Sequence, residues 1–145
     1  MKNVTAEIIR ECPVDDFGWT TLPDGAKVDV GENVIIRGDV SIGTGTRIGD
    51  GAVIGHSAQI GRASLIGHNA HIGSDAVVGD FVRIGDHAII RDGANIGDTA
   101  SIGYRAIIDD CATIPRGVVI DHCTYLDRAD AKHLRPGLSW PITTN

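Results

Sequence analysis

The chain has 145 residues, a formal net charge of −6 and a pI near 5.3. That length is one domain, and the acidic balance excludes a general affinity for nucleic acid or for an anionic membrane surface. No stretch approaches the ~20 apolar residues of a membrane span, and the opening MKNVTAEIIRECPVDD holds no apolar run of signal-peptide length, so a cytoplasmic location is expected.

Residues 1–25 carry a short apolar run (Ile8, Ile9), then Phe17 and Trp19, then the turn signal Pro23-Asp24-Gly25. This segment is read as a cap over whatever follows, because an uncovered sheet end invites association. Residues 26–126 are different in kind. From Val30 through Ile36, Ile42, Ile48 and onward to Leu126, every sixth residue is aliphatic. The next residue is usually Gly, as at Gly43, Gly49 and Gly55. Four residues after each aliphatic sits a small or branched side chain, as at Val40, Ala52 and Ala70. No helix has a period of six and a strand has a period of two, so the pattern is a short strand broken by a corner at fixed intervals.

Three such hexapeptides close one triangular turn, and turns stack as parallel strands. The span predicts about five turns, with Gly and Asx at the corners supplying unusual backbone angles. Beyond it, residues 127–145 read as two helical turns over 127–135, stopped by Pro136-Gly137, and a tail containing Trp140. The cysteines, with no CxxC, fit a reducing compartment, and Cys111 and Cys123 fall at different corners.

Stacking at a spacing of 18 residues also assigns the outward faces. One wall presents Ile35, Val53, His71, Ile89, Ile107 and Tyr125. A contiguous outward apolar column of this kind is a binding surface, unless the N- or C-terminal segment folds over it; the family that the repeat resembles implies that the partner on it is a second and third copy of the chain, a homotrimer.

The repeat resembles the hexapeptide-repeat proteins, left-handed parallel β-helices that include many acyltransferases and the gamma-class carbonic anhydrases. The left hand comes from that resemblance, since ordinary crossovers favour the opposite one. Several of these acyltransferases carry a base histidine at a corner facing the groove between subunits. His68, in Ile66-Gly-His68-Asn69-Ala70-His71, occupies such a corner, with Asp50 one turn before and Asp86 one turn after. Those three are the expected catalytic residues, His68 as base and a carboxylate as its orienter. His71, His56, Asn69 and Arg37 are expected to bind substrate. The resemblance implies a coenzyme A thioester as acyl donor, a small hydroxyl or amine acceptor, and no tightly bound cofactor.

A second likeness, to the gamma-class carbonic anhydrases, rests on Arg37-Gly38-Asp39 and on the stretches around Asp50 and His68. It implies a zinc held by three histidines from two subunits. Carried over residue by residue, His68 matches one ligand, while the other two positions fall on Gly55 and Gly73, with His71 and His56 nearby. A metal held by His68 and His71 is therefore the alternative reading. A non-catalytic trimer that binds a small molecule or a protein is the third.

Overall fold

The computed structural model describes residues 9 and 11–141; Ile8 and residues 142–145 of the expected cap and tail lie outside the described residues. The period-six pattern becomes a triangular prism of two-residue strands. The first wall stacks β3 (Ile35–Ile36), β6 (Val53–Ile54), β9 (His71–Ile72), β12 (Ile89–Ile90), β15 (Ile107–Ile108) and β18 (Tyr125–Leu126). The third is built from β4 (Ser41–Ile42), β7 (Gln59–Ile60), β10 (Val77–Val78), β13 (Asn95–Ile96) and β16 (Thr113–Ile114). Between them the second wall runs from β2 (Lys27–Val30) through β5 (Arg47–Ile48), β8 (Leu65–Ile66), β11 (Arg83–Ile84) and β14 (Ser101–Ile102) to β17 (Val119–Ile120). Strands of one wall pair in parallel with residues 18 apart, as Val53 with His71 and His71 with Ile89. The fold is a left-handed parallel β-helix. Its first wall has six strands, so the coil makes about six turns rather than the five expected.

Inside, the aliphatics from Ile36 to Leu126 are buried, and so are the small residues from Val40 to Val118 at the narrowing corners. Ala is favoured there because a larger side chain would overfill a space already packed to crystal density. Two of these buried positions are polar, Thr46 and Ser64. The Thr46 hydroxyl donates to the Gly61 carbonyl at 2.7 Å and accepts from the Ser64 amide at 3.3 Å. Ser64 repeats the arrangement one turn on, with the Gly79 carbonyl at 2.9 Å and the Val82 amide at 3.2 Å.

The expected role of glycine and Asx at the corners holds at Gly45, Gly51, Gly93 and Gly117 and at Asn33, Asn69 and Asp75, all with positive φ, but the glycines that directly follow the aliphatics have a different reason. None of Gly43, Gly49, Gly55, Gly61, Gly67, Gly73, Gly79, Gly85, Gly97 and Gly103 has a positive φ. Their reason is contact: a Cβ on Gly43 would collide with the backbone of Arg62 on the next turn, and one on Gly73 would sit 2.5 Å from the Asp92 amide. The left-handed residue lies two positions later and is usually not glycine, as at Ala63 (φ 54°), Asn69 (56°) and Phe81 (59°).

Both ends carry extra strands. β1 (Thr20–Thr21) runs antiparallel to β2, placing the segment before the coil against its first turn. At the other end α1 (Arg128–Ala131) is a single helical turn, half the length expected. Asp127 caps it, accepting from the Asp130 amide at 2.7 Å. It stops early because Ala131 and Leu134 turn inward over the core, and the chain then doubles back so that β19 (Ser139–Trp140) pairs in parallel with β17. Among the described residues no helix is long and apolar enough to cross a membrane.

Candidate functional site

Corner residues leave a backbone N–H pointing along the prism, and a buried or half-buried N–H needs an acceptor. At the corner after the second wall the acceptor is the side chain 18 residues on. Glu32 donates to Asp50 Oδ1 at 2.8 Å, Asp50 to His68 Nδ1 at 2.9 Å, and His68 to Asp86 Oδ1 at 2.8 Å. Further along, Tyr104 donates to His122 Nδ1 at 2.8 Å. Other corners use the same rung, as Ser74 to Asp92 and Asp80 to Asp98, both at 2.8 Å.

This ladder brings His68, Asp50 and Asp86 together as expected, but with different bonds. Asp86 does not touch the imidazole; its carboxylate satisfies the His68 amide. Asp50 Oδ2 stands 3.9 Å from Nδ1, outside hydrogen-bond reach. Since Nδ1 accepts from an amide, a neutral His68 carries its proton on Nε2, and that outer nitrogen is a donor. Asn69 sits in the left-handed position with its side-chain carbonyl against Gly51 of the previous turn. His56 lies at a different corner, the one after the first wall, with its ring against Gly38.

That corner borders a cleft of about 370 Å³. Its floor follows from the sequence at a spacing of 18: Arg37, Gly55, Gly73, Arg91. Two side-chain-free levels are thus bracketed by two arginines. His71 lines the same cleft, projecting from the first wall between Val53 and Ile89. Of the expected binding residues, Arg37 and His71 therefore line one cleft, whereas His56 and Asn69, and the expected base His68, lie outside it. Neither the Arg37 guanidinium nor the His71 ring has a hydrogen bond or ion pair among the described residues, so both are free for a ligand.

The far end of the cleft was not foreseen. Asp92 and Asp110 line it beside Arg91, whose guanidinium bonds Asp109 Oδ1 at 3.2 Å and lies 5.7 Å from the Tyr125 ring centre. The Asp110 amide holds the Asp109 carboxyl below the usual carboxylate range, assisted by Arg91 and the Tyr125 hydroxyl and opposed by partial burial. The signal was present: Arg91 follows Arg37 by three turns, and Asp109 follows Arg91 by one.

The three-histidine set implied by the second likeness is not present, since two of its positions are Gly55 and Gly73, and within one chain no three His, Cys, Asp or Glu side chains of the described residues converge. An imidazole cannot be supplied at Gly55 or Gly73 either, where even a Cβ would come 2.5 Å from a backbone amide of the next turn.

Comparison with known proteins agrees with the coil. The family model for bacterial transferase hexapeptide (six repeats) matches residues 57–92. No curated protein matches the sequence. Among solved structures, the acetyltransferase domain of PglB from Neisseria gonorrhoeae is 20% identical, with a TM-score of 0.61 over 88% of this chain and 54% of that one. Perosamine N-acetyltransferase from Caulobacter crescentus, in complex with CoA and GDP-perosamine, is 18% identical, with a TM-score of 0.68 over 77% of this chain and 50% of that one. The chain thus spans about half the length of these structures. By its six-residue period and its prism of stacked two-residue strands, the chain shares the left-handed parallel β-helix fold of these structures, and within it residues 57–92 match the hexapeptide model.

Proposed function

We propose that the protein transfers an acyl group from a coenzyme A-type thioester to a small amine or hydroxyl at the first-wall cleft, where two copies of the chain meet. The observation that carries this reading is the cleft itself, with the unengaged His71 between Arg37 and Arg91 over a glycine floor. Support also comes from the fold shared with the PglB domain, which has been solved with acetyl coenzyme A, and with perosamine N-acetyltransferase.

The acceptor nitrogen or oxygen attacks the thioester carbonyl carbon. The new C–N or C–O bond forms, the C–S bond breaks, and the acceptor's proton passes to the base and then to the departing thiolate. His71 is placed to be that base, because neither of its nitrogens is committed. His68 enters as a donor through Nε2–H, able to hold the acceptor or the carbonyl oxygen as charge develops on it. Asp50 and Asp86 hold the corner on which His68 stands. Because His68 lies outside its own chain's cleft, its participation requires a neighbouring copy packed along the first wall.

The test is acetyl-coenzyme A turnover with a panel of small amines and alcohols, reading acylated product by mass spectrometry. The reading expects product with wild type, loss of at least a hundredfold in His71→Ala, and a sedimentation mass of three chains. A monomer would remove the shared cleft, and turnover unchanged in His71→Ala would remove the base.

The alternative of a non-catalytic trimeric scaffold is favoured by one observation: the corner side chains, His68 included, are already spent on capping backbone amides. Absence of product with every acceptor, in a protein that is trimeric, would select it.

A further inference from the structure

The charges along the cleft are graded. At one end Arg37 is exposed and has no ion-pair partner among the described residues. At the other, Arg91 is matched by Asp109, and Asp92 and Asp110 add two further carboxylates. Between them Gly55 and Gly73 leave two levels bare, and the backbone of the following turn keeps them bare, because a Cβ at either position would collide with it. The two arginines are three levels apart, about 14 Å at roughly 4.8 Å per level. The volume of about 370 Å³ is that of a small-molecule site and would take something the size of a monosaccharide.

From this gradient we infer that the acceptor is an amine that also bears an oxyanion, a phosphate or a carboxylate, bound with the anion at Arg37 and the amine toward Asp92 and Asp110. The inference narrows the acyl-transfer reading and rests on it for the word acceptor; the binding preference itself does not depend on turnover. A guanidinium suits this task because its planar fork pairs with phosphate or carboxylate through two parallel hydrogen bonds, which a free arginine at the cleft edge can offer. A ligand of the opposite polarity, with its anion at the acidic end, would meet the carboxylates of Asp92 and Asp110. The site therefore sets an orientation as well as a class. His71 stands on the wall between the two ends, within the stretch that an acceptor amine would cross.

The experiment measures binding of glucosamine, glucosamine 6-phosphate and glycine by calorimetry. The proteins compared are wild type, Arg37→Gln and, as a control on the second wall, Arg83→Gln. Product formation from acetyl-coenzyme A is followed in parallel. The expected result is at least tenfold tighter binding of one of the two anionic amines than of neutral glucosamine. Arg37→Gln should erase that preference and Arg83→Gln should keep it. The phosphate and carboxylate arms separate the two sources of the anion. Inorganic phosphate should compete in wild type, which keeps the test available if Arg37→Gln folds poorly. Equal binding of glucosamine and both anionic amines, or an undiminished preference in Arg37→Gln, overturns the inference. Preference without turnover leaves the anion site standing and removes the acyl-transfer reading. Turnover of neutral amines that ignores Arg37→Gln does the reverse.

Discussion

Asp50 donates its backbone N–H to Nδ1 of His68 at 2.9 Å, the same rung that Asp80 makes to Asp98 Oδ1 at 2.8 Å with a carboxylate in place of the ring. The histidine is therefore interchangeable with an aspartate as far as the corner is concerned. His68→Asp should keep the wild-type unfolding free energy, read from urea titration, within about 0.5 kcal/mol, whereas His68→Ala should lose about 1 kcal/mol for the missing acceptor. Nitrogen NMR of the ring should report the Nε2–H tautomer. A proton on Nδ1 at neutral pH would mean that the rung is not made.

The two kinds of corner residue respond oppositely to a methyl group. Gly73→Ala places a Cβ 2.5 Å from the Asp92 amide, so the next turn must shift, at a cost of about 1–3 kcal/mol. Ala63→Gly relieves a left-handed residue with φ 54° and should stabilise by up to about 1 kcal/mol, since the left-handed penalty exceeds the added chain entropy. Thermal midpoints of the two variants should move in opposite directions. Movement in the same direction would sink this division of labour.

Acid should loosen the Arg91–Asp109 contact. The Asp109 carboxyl titrates below its ordinary value of 3.8, first because the Asp110 amide bonds it and then because Arg91 and Tyr125 do. A lowered carboxylate stabilises the fold above the unfolded value and loses that contribution as pH falls through the folded one. Wild type and Asp109→Asn should therefore differ in urea midpoint above pH 3.8 and converge below it. A constant difference across that window would show that Asp109 acts through packing alone.

The coil was legible because one constraint repeats. An aliphatic at every sixth position from Val30 to Leu126 admits no helix, and registers such as Val53 with His71 follow from a spacing of 18 alone. The outward column from Ile35 to Tyr125 followed as well. What the pattern did not give was the choice of partner for a polar side chain. Asp86 stands one turn from His68 as expected, yet an amide lies nearer than the ring and takes the carboxylate. Glycine divides for a similar reason: φ selects it at Gly45, Gly51, Gly93 and Gly117 and the next turn selects it after each aliphatic, a distinction that periodicity does not make. The short helix at Arg128–Ala131 was overestimated because its end is set by the core it covers, which no local signal reports.

The hydroxyls of Thr46 and Ser64 together link three turns of chain. Thr46 donates to Gly61 and accepts from Ser64, both on the following turn, and Ser64 passes the same pattern to Gly79 and Val82. Thr46→Val nearly preserves volume but leaves the Gly61 carbonyl and Ser64 amide without that hydroxyl in a buried corner. The expected cost is about 1–3 kcal/mol, read from urea unfolding. Ser64→Ala should cost a similar amount. The two hydroxyls share no hydrogen bond, because Ser64→Ala keeps the backbone N–H that donates to Thr46, so the double variant should cost about the sum of the two. A cost well below that sum would mean that the two hydroxyls are coupled through the corner they line.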